Sequence, residues 1–508
     1  MFRRVSSAFV LICIAAGAAD AAERKALDSI SAQELGEHVD VLADDSFEGR
    51  EAGSRGGQAS SIYLMKEMKR LQLRGAGDQG SYLQSFDRNY RNILGMLEGS
   101  DPELKEQVVV ISAHYDHVGY GTRRNSYGPW GYIHNGADDN ASGVAGLLEL
   151  IEAFVDSGVR PGRSILFAFW DGEEKGLLGS KHWVSRPTVP LDRVKLMINV
   201  DMIGRLVDNR LMIYGSRSGE GLRRLVSVCN ESSGLDLDFT WELKSNSDHY
   251  TFYSKNIPVL MFHTGLHGDY HRPSDDAHKI NRDGLEAVTR LMFEVLDAVA
   301  QESTSIAFRP ASRQETPAKQ QAFEVKLAQP PPRLGLSWRK EPSDLPLVVA
   351  RTNPGSAAYK AGIVSGDKIL QFDVQEVLGP GHFRKLVLAA TIPADMTIER
   401  EGMDEPMKLT VHLPGNPVRL GLSWREDPAE PGTLLVTRVI RGSAADEAEL
   451  TAGDRVYQIG NREFADGLEF IELSQTLPSP IELLIERNGT LRHVKLNVLP
   501  RAKVGLTN

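Results

Sequence analysis

The chain has 508 residues, of which 41% are hydrophobic and 25% are charged, and its formal net charge at pH 7 is −10. This composition is typical of a soluble globular protein and excludes a disordered chain or a membrane bundle, while the length predicts about two to four domains. The acidic balance offers no basic surface, so we expect no nucleic-acid partner.

The first residues have the pattern of a secretory leader. Two arginines precede an apolar stretch at Ala8–Ala16, and small residues follow it. We predict a signal peptide at residues 1–22, cleaved near Ala21 or Ala22, and therefore an exported protein, periplasmic or secreted. No other segment reaches the roughly 18 apolar residues of a membrane span, so we expect no stable membrane insertion after cleavage.

The next part, residues 23–303, shows the alternation of an α/β domain. Four short, continuous apolar runs have the length and composition of strands buried on both faces: Val108–Ala113, Ser164–Trp170, Leu196–Val200 and Ile257–Phe262. Apolar residues at helical spacing predict helices within residues 142–158 and 283–301. We expect an α/β sheet covered on both sides, with a ligand site at the carboxyl ends of its strands.

Each apolar run leads directly into side chains that bind metals. The first is followed by "HYDHVG", the second by "DGEEKG", the third by Asp201 and the fourth by "HTGLHGDYHRPSDD". A pair of divalent metals requires His and carboxylate donors from several segments, a bridging group and a free carboxylate that takes a proton. His114 and Asp116 share one face of an extended segment, so we expect Asp116 to accept the other ring N–H of His114. The adjacent Glu173 and Glu174 point differently, so one can bind metal while its neighbour activates water.

The segment "NGADDNASG", Asn135–Gly143, precedes the first predicted helix. Its Asp, Asn and Ser side chains are those that cap a helix by accepting free backbone N–H groups. Together with the motifs above it resembles the co-catalytic zinc peptidases of family M twenty-eight. "SAHYDHVG", "GADDNASG", "DGEEKGLLGS", "NVDMIG" and "DYHRPSDD" occur in that family's order and spacing, and "FEGREAGSRGG" resembles its amino-terminal turn. The resemblance covers residues 43–298 and implies a zinc exopeptidase fold, with a mixed, mainly parallel sheet and helices on both faces.

The resemblance implies ligands for two zinc ions, for which cobalt or manganese are substitutes. Asp138 is expected to bridge both ions, and in relatives the peptide bond after this aspartate is cis, which predicts a cis bond from Asp138 to Asp139. The remaining ligands are two per ion: Glu174 and His271 for one, His114 and Asp201 for the other.

The resemblance also implies catalytic roles. Glu173 matches the general base that takes a proton from the attacking water and delivers it to the leaving amine. Tyr270 resembles a tyrosine that stabilises the tetrahedral oxyanion, with plain packing as the alternative, and Asp116 orients His114. Other residues nearby stay open: His263 and His267 are alternatives to His271 as ligand, Asp275 caps the following segment or holds its own loop, and His117, His134 and the cluster Ser247–His249 are expected to support the pocket.

The last part of the chain is a duplication. "RLGLSWR" occurs at residues 333–339 and again at 419–425, and "GSAA", "GD" and "IER" recur at a constant offset. Both copies resemble PDZ domains, which bind extended peptides by strand addition and hold a terminal carboxylate on a loop. We therefore predict a polar linker at residues 304–332 and PDZ-like β-rich domains at 333–414 and 417–500. Packing or dimerisation without a peptide ligand is the alternative.

These observations predict an exported binuclear-zinc exopeptidase, with an aminopeptidase favoured. A carboxypeptidase or dipeptidase of the same family is the alternative, because the aromatic loop at residues 119–136 contains Arg123 and Arg124, which can pair with a substrate carboxylate. A one-zinc glutaminyl cyclase and a non-catalytic peptide-binding protein are less favoured. The chain contains no "GxSxG", Walker loop or "HExxH", which argues against serine hydrolases, nucleotide binding and single-zinc helix proteases.

Overall fold

The computed structural model describes residues 18–340 and 345–499, so most of the predicted signal peptide lies outside the described residues. The chain divides into two compact units, the first containing most residues up to Ala322 and the second most residues from Phe323 onward. Within the described ranges, no helix has both the length and the apolar character that crossing a membrane requires.

The first unit is built on a nine-stranded mixed sheet. Its strands are β1 (Arg74–Gly75), β2 (Leu83–Phe86), β3 (Tyr90–Leu97), β4 (Val108–His114), β5 (Ser164–Trp170), β6 (Val194–Val200), β7 (Arg210–Tyr214), β8 (Asp236–Phe239) and β9 (Val259–His263). Their order is β1-β3-β5-β4-β6-β9-β7-β8, with β2 paired to β3. The central strands β5, β4, β6 and β9 are parallel to one another, and β3 and β7 flank them in antiparallel orientation. The predicted sheet is therefore confirmed.

Helices cover both faces of this sheet. They are α1 (Ala18–Ser29), α2 (Ala32–Leu42), α3 (Arg55–Arg70), α4 (Gly143–Ser157), α5 (Leu178–Ser185), α6 (Leu222–Cys229), α7 (His249–Tyr253) and α8 (Arg282–Gln301). A further short helix, α9 (Pro317–Phe323), follows them and has no buried residue. Alternate residues of β4 enter separate cores: Val109 and Ile111 join the core that includes α4 and α8, whereas Val108 and Val110 join the one that includes α5 and α7. This alternation explains why the strand is apolar at every position.

The predicted strands and helices match the observed ones closely. The four apolar runs are β4, β5, β6 and β9, and the two predicted helices are α4 and α8. β9 begins at Val259 instead of Ile257, because the intervening Pro258 has no N–H to donate to a neighbouring strand.

Part of the range predicted as a linker folds onto the first unit. The Arg309 N–H donates to the Ser218 carbonyl at 2.7 Å, the Tyr253 and Ser312 hydroxyls lie 3.0 Å apart, and the Phe308 ring packs against that of Tyr253. These contacts use polar groups and one aromatic ring, so they leave no apolar periodicity in the sequence.

The second unit contains two similar β-rich domains. The first has β10 (Leu336–Trp338), β11 (Leu347–Thr352), β12 (Lys368–Phe372), β13 (Gln375–Glu376), β14 (Ala394–Glu399) and β15 (Met407–Val411), with α10 (Ala357–Lys360) and α11 (Pro380–Ala389). The second has β16 (Leu422–Glu426), β17 (Leu434–Val439), β18 (Arg455–Ile459), β19 (Ile481–Arg487) and β20 (Thr490–Leu496), with α12 (Ala444–Glu447) and α13 (Gly467–Thr476). Apart from the short β13, the elements follow in the same order, as a duplication requires.

The repeated "GD" and "IER" motifs form one buried ion pair in each domain. Asp367 is fully buried and accepts hydrogen bonds from Arg400 Nε and Nη2 at 2.7 and 2.8 Å. Asp454, at the equivalent position, accepts the same two bonds from Arg487 at 2.6 and 2.8 Å. These hydrogen bonds raise the pKa of both arginines. The residues that reveal the repeat therefore have a structural role within each domain.

Candidate metal centre

The carboxyl ends of four parallel strands lie side by side in the first unit. His114 ends β4 and is in register with Trp170, the last residue of β5, while Val200 of β6 is in register with Phe262 of β9. The segments that follow these ends carry Glu173, Glu174, Asp201 and the loop to His271. Parallel strand order therefore brings together donors that are distant in the sequence.

Two groups of side chains present nitrogen and oxygen atoms within 4.8 Å of one another. One group contains His114, Asp139 and Asp201, and the other contains His117, Asp139, Glu174 and His271. Asp139 belongs to both: its Oδ1 lies 3.4 Å from His114 Nε2, and its Oδ2 lies 3.1 Å from His271 Nε2. Its two oxygens thus face separate groups, which is the arrangement of a bridging ligand.

Asp138, the predicted bridge, belongs to neither group. Its Oδ1 accepts hydrogen bonds from the Gly204 N–H at 2.6 Å and from the Ser142 hydroxyl at 3.0 Å, and its Oδ2 lies 3.0 Å from His267 Nε2. The residue shared by the two donor groups is therefore Asp139, whereas the prediction placed that shared position at Asp138. Adjacent residues in an irregular loop point in different directions, and nothing in two consecutive aspartates distinguishes them.

The loop that carries these aspartates is held by Asp275. The buried Asp275 carboxylate accepts the backbone N–H groups of Asp138 and Asp139 at 3.0–3.1 Å, so it holds this loop instead of its own segment. Asn140 Oδ1 accepts the Gly143 N–H at 3.1 Å and thereby caps α4. The cis peptide bond joins Asp139 and Asn140, one residue later than predicted.

The other four predicted ligands lie in the two groups. His114 Nε2 is 3.4 Å from Asp201 Oδ1, and His271 Nε2 is 3.2 Å from Glu174 Oε1. All four side chains are largely buried, with exposed fractions of 2% for His114, 10% for Asp201, 7% for Glu174 and 15% for His271.

The electrostatic environment of these groups favours positive charge. Burial lowers the pKa of His271, but hydrogen bonds to Asp139 and Glu174 outweigh it and raise that pKa to about 11. Burial also lowers the pKa of His114, yet the nearby carboxylates, Glu173 foremost, raise it well above its usual value. Among the described residues, no lysine or arginine forms an ion pair with the carboxylates of either group. A bound cation can supply the missing charge.

Asp116 positions the predicted base. Its Oδ1 accepts the backbone N–H of Glu173 at 3.0 Å. Burial raises the pKa of both carboxyl groups well above their ordinary values. His114 Nδ1 lies 3.1 Å from the carbonyl oxygen of Asp116 and 3.9 Å from its carboxylate Oδ1. The expected hydrogen bond from His114 therefore goes to the Asp116 backbone, because the carboxylate turns towards Glu173.

An aromatic wall adjoins His271. The ring of Tyr270 stacks on His271 with centroids 3.9 Å apart, and the Tyr127 ring lies 6.2 Å from that of Tyr270. Burial raises the pKa of Tyr270, which keeps its hydroxyl protonated. The Tyr127 N–H donates to the His271 carbonyl at 3.1 Å, and the Arg123 guanidinium lies 4.9 Å from the centre of the Trp130 ring. The predicted loop thus borders the centre.

The sequence analysis gave no metal-binding role to His117 and none at all to Arg50. His117 Nδ1 lies 2.8 Å from Glu174 Oε1, although His117 was expected only to support the pocket. The guanidinium of the buried Arg50 donates to four backbone carbonyls around the centre, those of Leu42, Tyr115, Asn135 and Gly136. In the sequence, the motifs that contain them could have pointed to these residues: His117 is the last histidine of "HYDH", and Arg50 is the first arginine of "FEGREAGSRGG". His263 and His267, the alternatives to His271, lie in neither group.

Residues 92–296 match Peptidase family M28, and residues 435–487 match a PDZ domain. The chain is 30% identical over 171 residues to a probable leucine aminopeptidase of Trichophyton verrucosum (strain HKI 0517), covering 32% of this chain and 44% of the relative. It is 25% identical over 252 residues to leupeptin-inactivating enzyme 1 of Streptomyces exfoliatus, covering 49% and 52%. A solved structure of BSAP, a zinc aminopeptidase from Bacillus subtilis, has 17% identity and a TM-score of 0.44, covering 55% of this chain and 98% of that one.

Every residue of the two donor groups lies within the matched range. The chain therefore contains a peptidase domain of family M28, followed by a region that includes a PDZ domain, as the sequence predicted. It spans about half the length of the curated relatives it matches.

Proposed function

We propose that this protein is an exported aminopeptidase that binds two zinc ions and removes N-terminal residues from peptides. The observation that carries the proposal is Asp139, whose two oxygens face separate groups of His and carboxylate donors. The family of residues 92–296 and the relatives named as aminopeptidases support the peptidase activity. Export rests on the leader pattern of residues 1–22.

The donor set fits zinc, with cobalt or manganese as substitutes. Imidazole and carboxylate atoms that bind zinc at 2.0–2.1 Å stand about 3.3 Å apart at the corners of a tetrahedron. His114 Nε2 lies 3.4 Å from an oxygen of Asp139 and 3.4 Å from one of Asp201, and His271 Nε2 lies 3.1 and 3.2 Å from oxygens of Asp139 and Glu174. When bound, the zinc ions would polarise the scissile carbonyl and lower the pKa of the attacking water.

The chain's own groups supply the remaining chemistry. Glu173, held through its backbone by Asp116, takes a proton from the water and delivers it to the leaving amine. Its raised pKa makes it a stronger base than an exposed carboxylate. The protonated Tyr270 hydroxyl stabilises the oxyanion, and the aromatic loop with Tyr127 forms the wall of the substrate pocket.

The C-terminal unit is proposed to bind a peptide or protein segment. The PDZ match at residues 435–487 and the duplicated element order support this role. Immobilised peptides with free and amidated carboxyl termini test it, since a PDZ ligand requires the free carboxylate. Equal retention on both peptides would mean binding that does not use the terminal carboxylate, and retention on neither would favour a packing role.

Cleavage specificity tests the peptidase proposal. The purified full chain is incubated with one peptide in free, amino-blocked and carboxyl-blocked forms, and products are identified by mass spectrometry. We expect single N-terminal residues from the free and carboxyl-blocked peptides and no product from the amino-blocked one. Release of C-terminal residues from the free and amino-blocked peptides, with no product from the carboxyl-blocked one, would indicate a carboxypeptidase. Metal analysis of protein purified without chelator should give about two ions per chain, and fewer than one would contradict the proposal.

A further inference from the structure

The two donor groups differ in how many side chains they contain. The group with Asp201 has three members, whereas the group with Glu174 has four, because His117 belongs to it. We propose that His117 is a fourth protein ligand, so that one metal site is closed by protein donors while the other keeps an open position. This inference rests on the proposed two-metal centre and concerns its asymmetry.

The distances around His117 are those of a ligand. Its Nδ1 lies 2.8 Å from Glu174 Oε1 and 3.7 Å from Asp139 Oδ2. His271 Nε2 faces the same two oxygens at 3.2 and 3.1 Å. These four separations scatter around the edge of about 3.3 Å that a tetrahedral zinc site requires. Two imidazoles and two carboxylate oxygens thus lie within 4.8 Å of one another, close enough to bind one ion.

The other group occupies only three corners. His114 Nε2 lies 3.4 Å from Asp139 Oδ1 and 3.4 Å from Asp201 Oδ1, and the described residues add no fourth donor to this group. Sites with four protein ligands are typical of firmly held ions, whereas sites with three keep a position for water or substrate. The base lies beside the open group, because Asp116 contacts both: its carbonyl oxygen lies 3.1 Å from His114 Nδ1, and its Oδ1 accepts the Glu173 N–H at 3.0 Å.

The backbone and packing fix the ring of His117. Its N–H donates to the Arg50 carbonyl at 3.3 Å, and its side chain is fully buried. Gly136 has a positive φ of 57°, and a Cβ there would lie 2.5 Å from Cδ2 of the ring. The second ring nitrogen, Nε2, makes no hydrogen bond. Packing therefore holds the ring with Nδ1 towards Glu174 and Asp139.

Metal titration of the full chain tests the asymmetry. Metal-free protein, prepared with a chelator, is titrated with zinc by equilibrium dialysis, and bound metal is measured directly. We expect the wild-type chain to bind one ion more tightly than the second. His117→Ala should lower the affinity for the more tightly bound ion at least about 10–100-fold. A loss of this size is typical even when only a supporting partner of a ligand is removed.

His134→Ala is the matched control. His134 is also fully buried nearby, but its ring contacts the Ser126 hydroxyl and it belongs to neither donor group. This variant should keep both affinities. If circular dichroism shows that His117→Ala does not fold, His117→Asn replaces it: the amide oxygen stands near the position of Nδ1 and should give a smaller loss of affinity.

The outcomes separate this inference from the proposed function. If the wild type binds two ions and a folded His117 variant binds them with unchanged affinities, the inference alone is overturned, and His117 is a residue that orients Glu174. A wild-type chain that binds no metal would overturn the two-metal centre itself.

Discussion

Buried carboxylates have opposite roles in the two units of this molecule. In the second unit, Asp367 and Asp454 are each neutralised by an arginine of the same domain. In the first unit, the carboxylates of the donor groups face one another and histidines, and no described lysine or arginine pairs with them. Charge that a protein leaves uncompensated in its interior is costly. The comparison teaches that buried carboxylates indicate an external cation where only histidines, which are also metal ligands, face them and no lysine or arginine of the chain pairs with them.

The largest effect on metal content and activity is expected at Asp139, the carboxylate that both donor groups share. Asp139→Asn should remove both metal ions and with them all measurable peptidase activity, because this residue contributes an oxygen to each group. Metal content after dialysis and the rate of peptide hydrolysis measure the effect. Asp138→Asn is the control, and it should retain both ions, since Asp138 lies outside the groups. The reverse result would restore Asp138 as the bridge.

At Glu173 we expect a large loss of turnover without a loss of metal. We expect Glu173→Ala to keep its ions and to lose about 10²–10⁴-fold in turnover, the usual contribution of a general base. Metal analysis and kcat are measured on the same preparation. A variant with wild-type kcat would remove Glu173 as the base, and a variant without metal would make it a ligand.

The ion pairs of the second unit should affect stability. Asp367→Asn leaves the Arg400 guanidinium without its partner and should lower the free energy of unfolding by about 2–3 kcal/mol. Asp454→Asn should cost a similar amount in the second copy, because its bonds to Arg487 are equivalent. Calorimetry of the full chain measures both, with metal content unchanged. Loss of metal in either variant would break the distinction between the two kinds of buried carboxylate.

The smallest effect on stability is expected at Glu149, a buried carboxylate on α4 that belongs neither to the donor groups nor to the aspartate–arginine pairs. Its Oε1 accepts no hydrogen bond, and burial raises its pKa from 4.5 to about 8. A raised carboxyl pKa means that the contribution of this one group to stability is fully present below pH 4.5 and is lost as the pH rises through 8. Glu149→Gln should therefore match the wild type at pH 4 and be more stable by about 1–2 kcal/mol at pH 6.

Urea unfolding at several pH values measures this difference. If the advantage of Glu149→Gln were the same at pH 4 and pH 6, ionisation of the glutamate would not be its cause.

Much of the fold and site followed from the sequence because the strands are regular. The apolar runs located β4, β5, β6 and β9 within two residues, and the polar residues directly after them supplied His114, Glu174 and Asp201. The packing of Phe308 onto the first unit did not follow, since a single aromatic ring in a polar segment produces no periodicity.

The sequence by itself determined the chemistry of the donors, the duplication of the C-terminal domains and the strand ends where the donors meet. Only the tertiary structure decided that Asp139, not Asp138, has an oxygen in each donor group, and that His117 lies beside His271 at Glu174. The physical reason lies in the loop at residues 137–142, where Asp139 has non-helical dihedral angles. In a strand or helix, spacing predicts which side a residue faces, but in such a loop the direction of each side chain depends on contacts with distant residues such as Asp275.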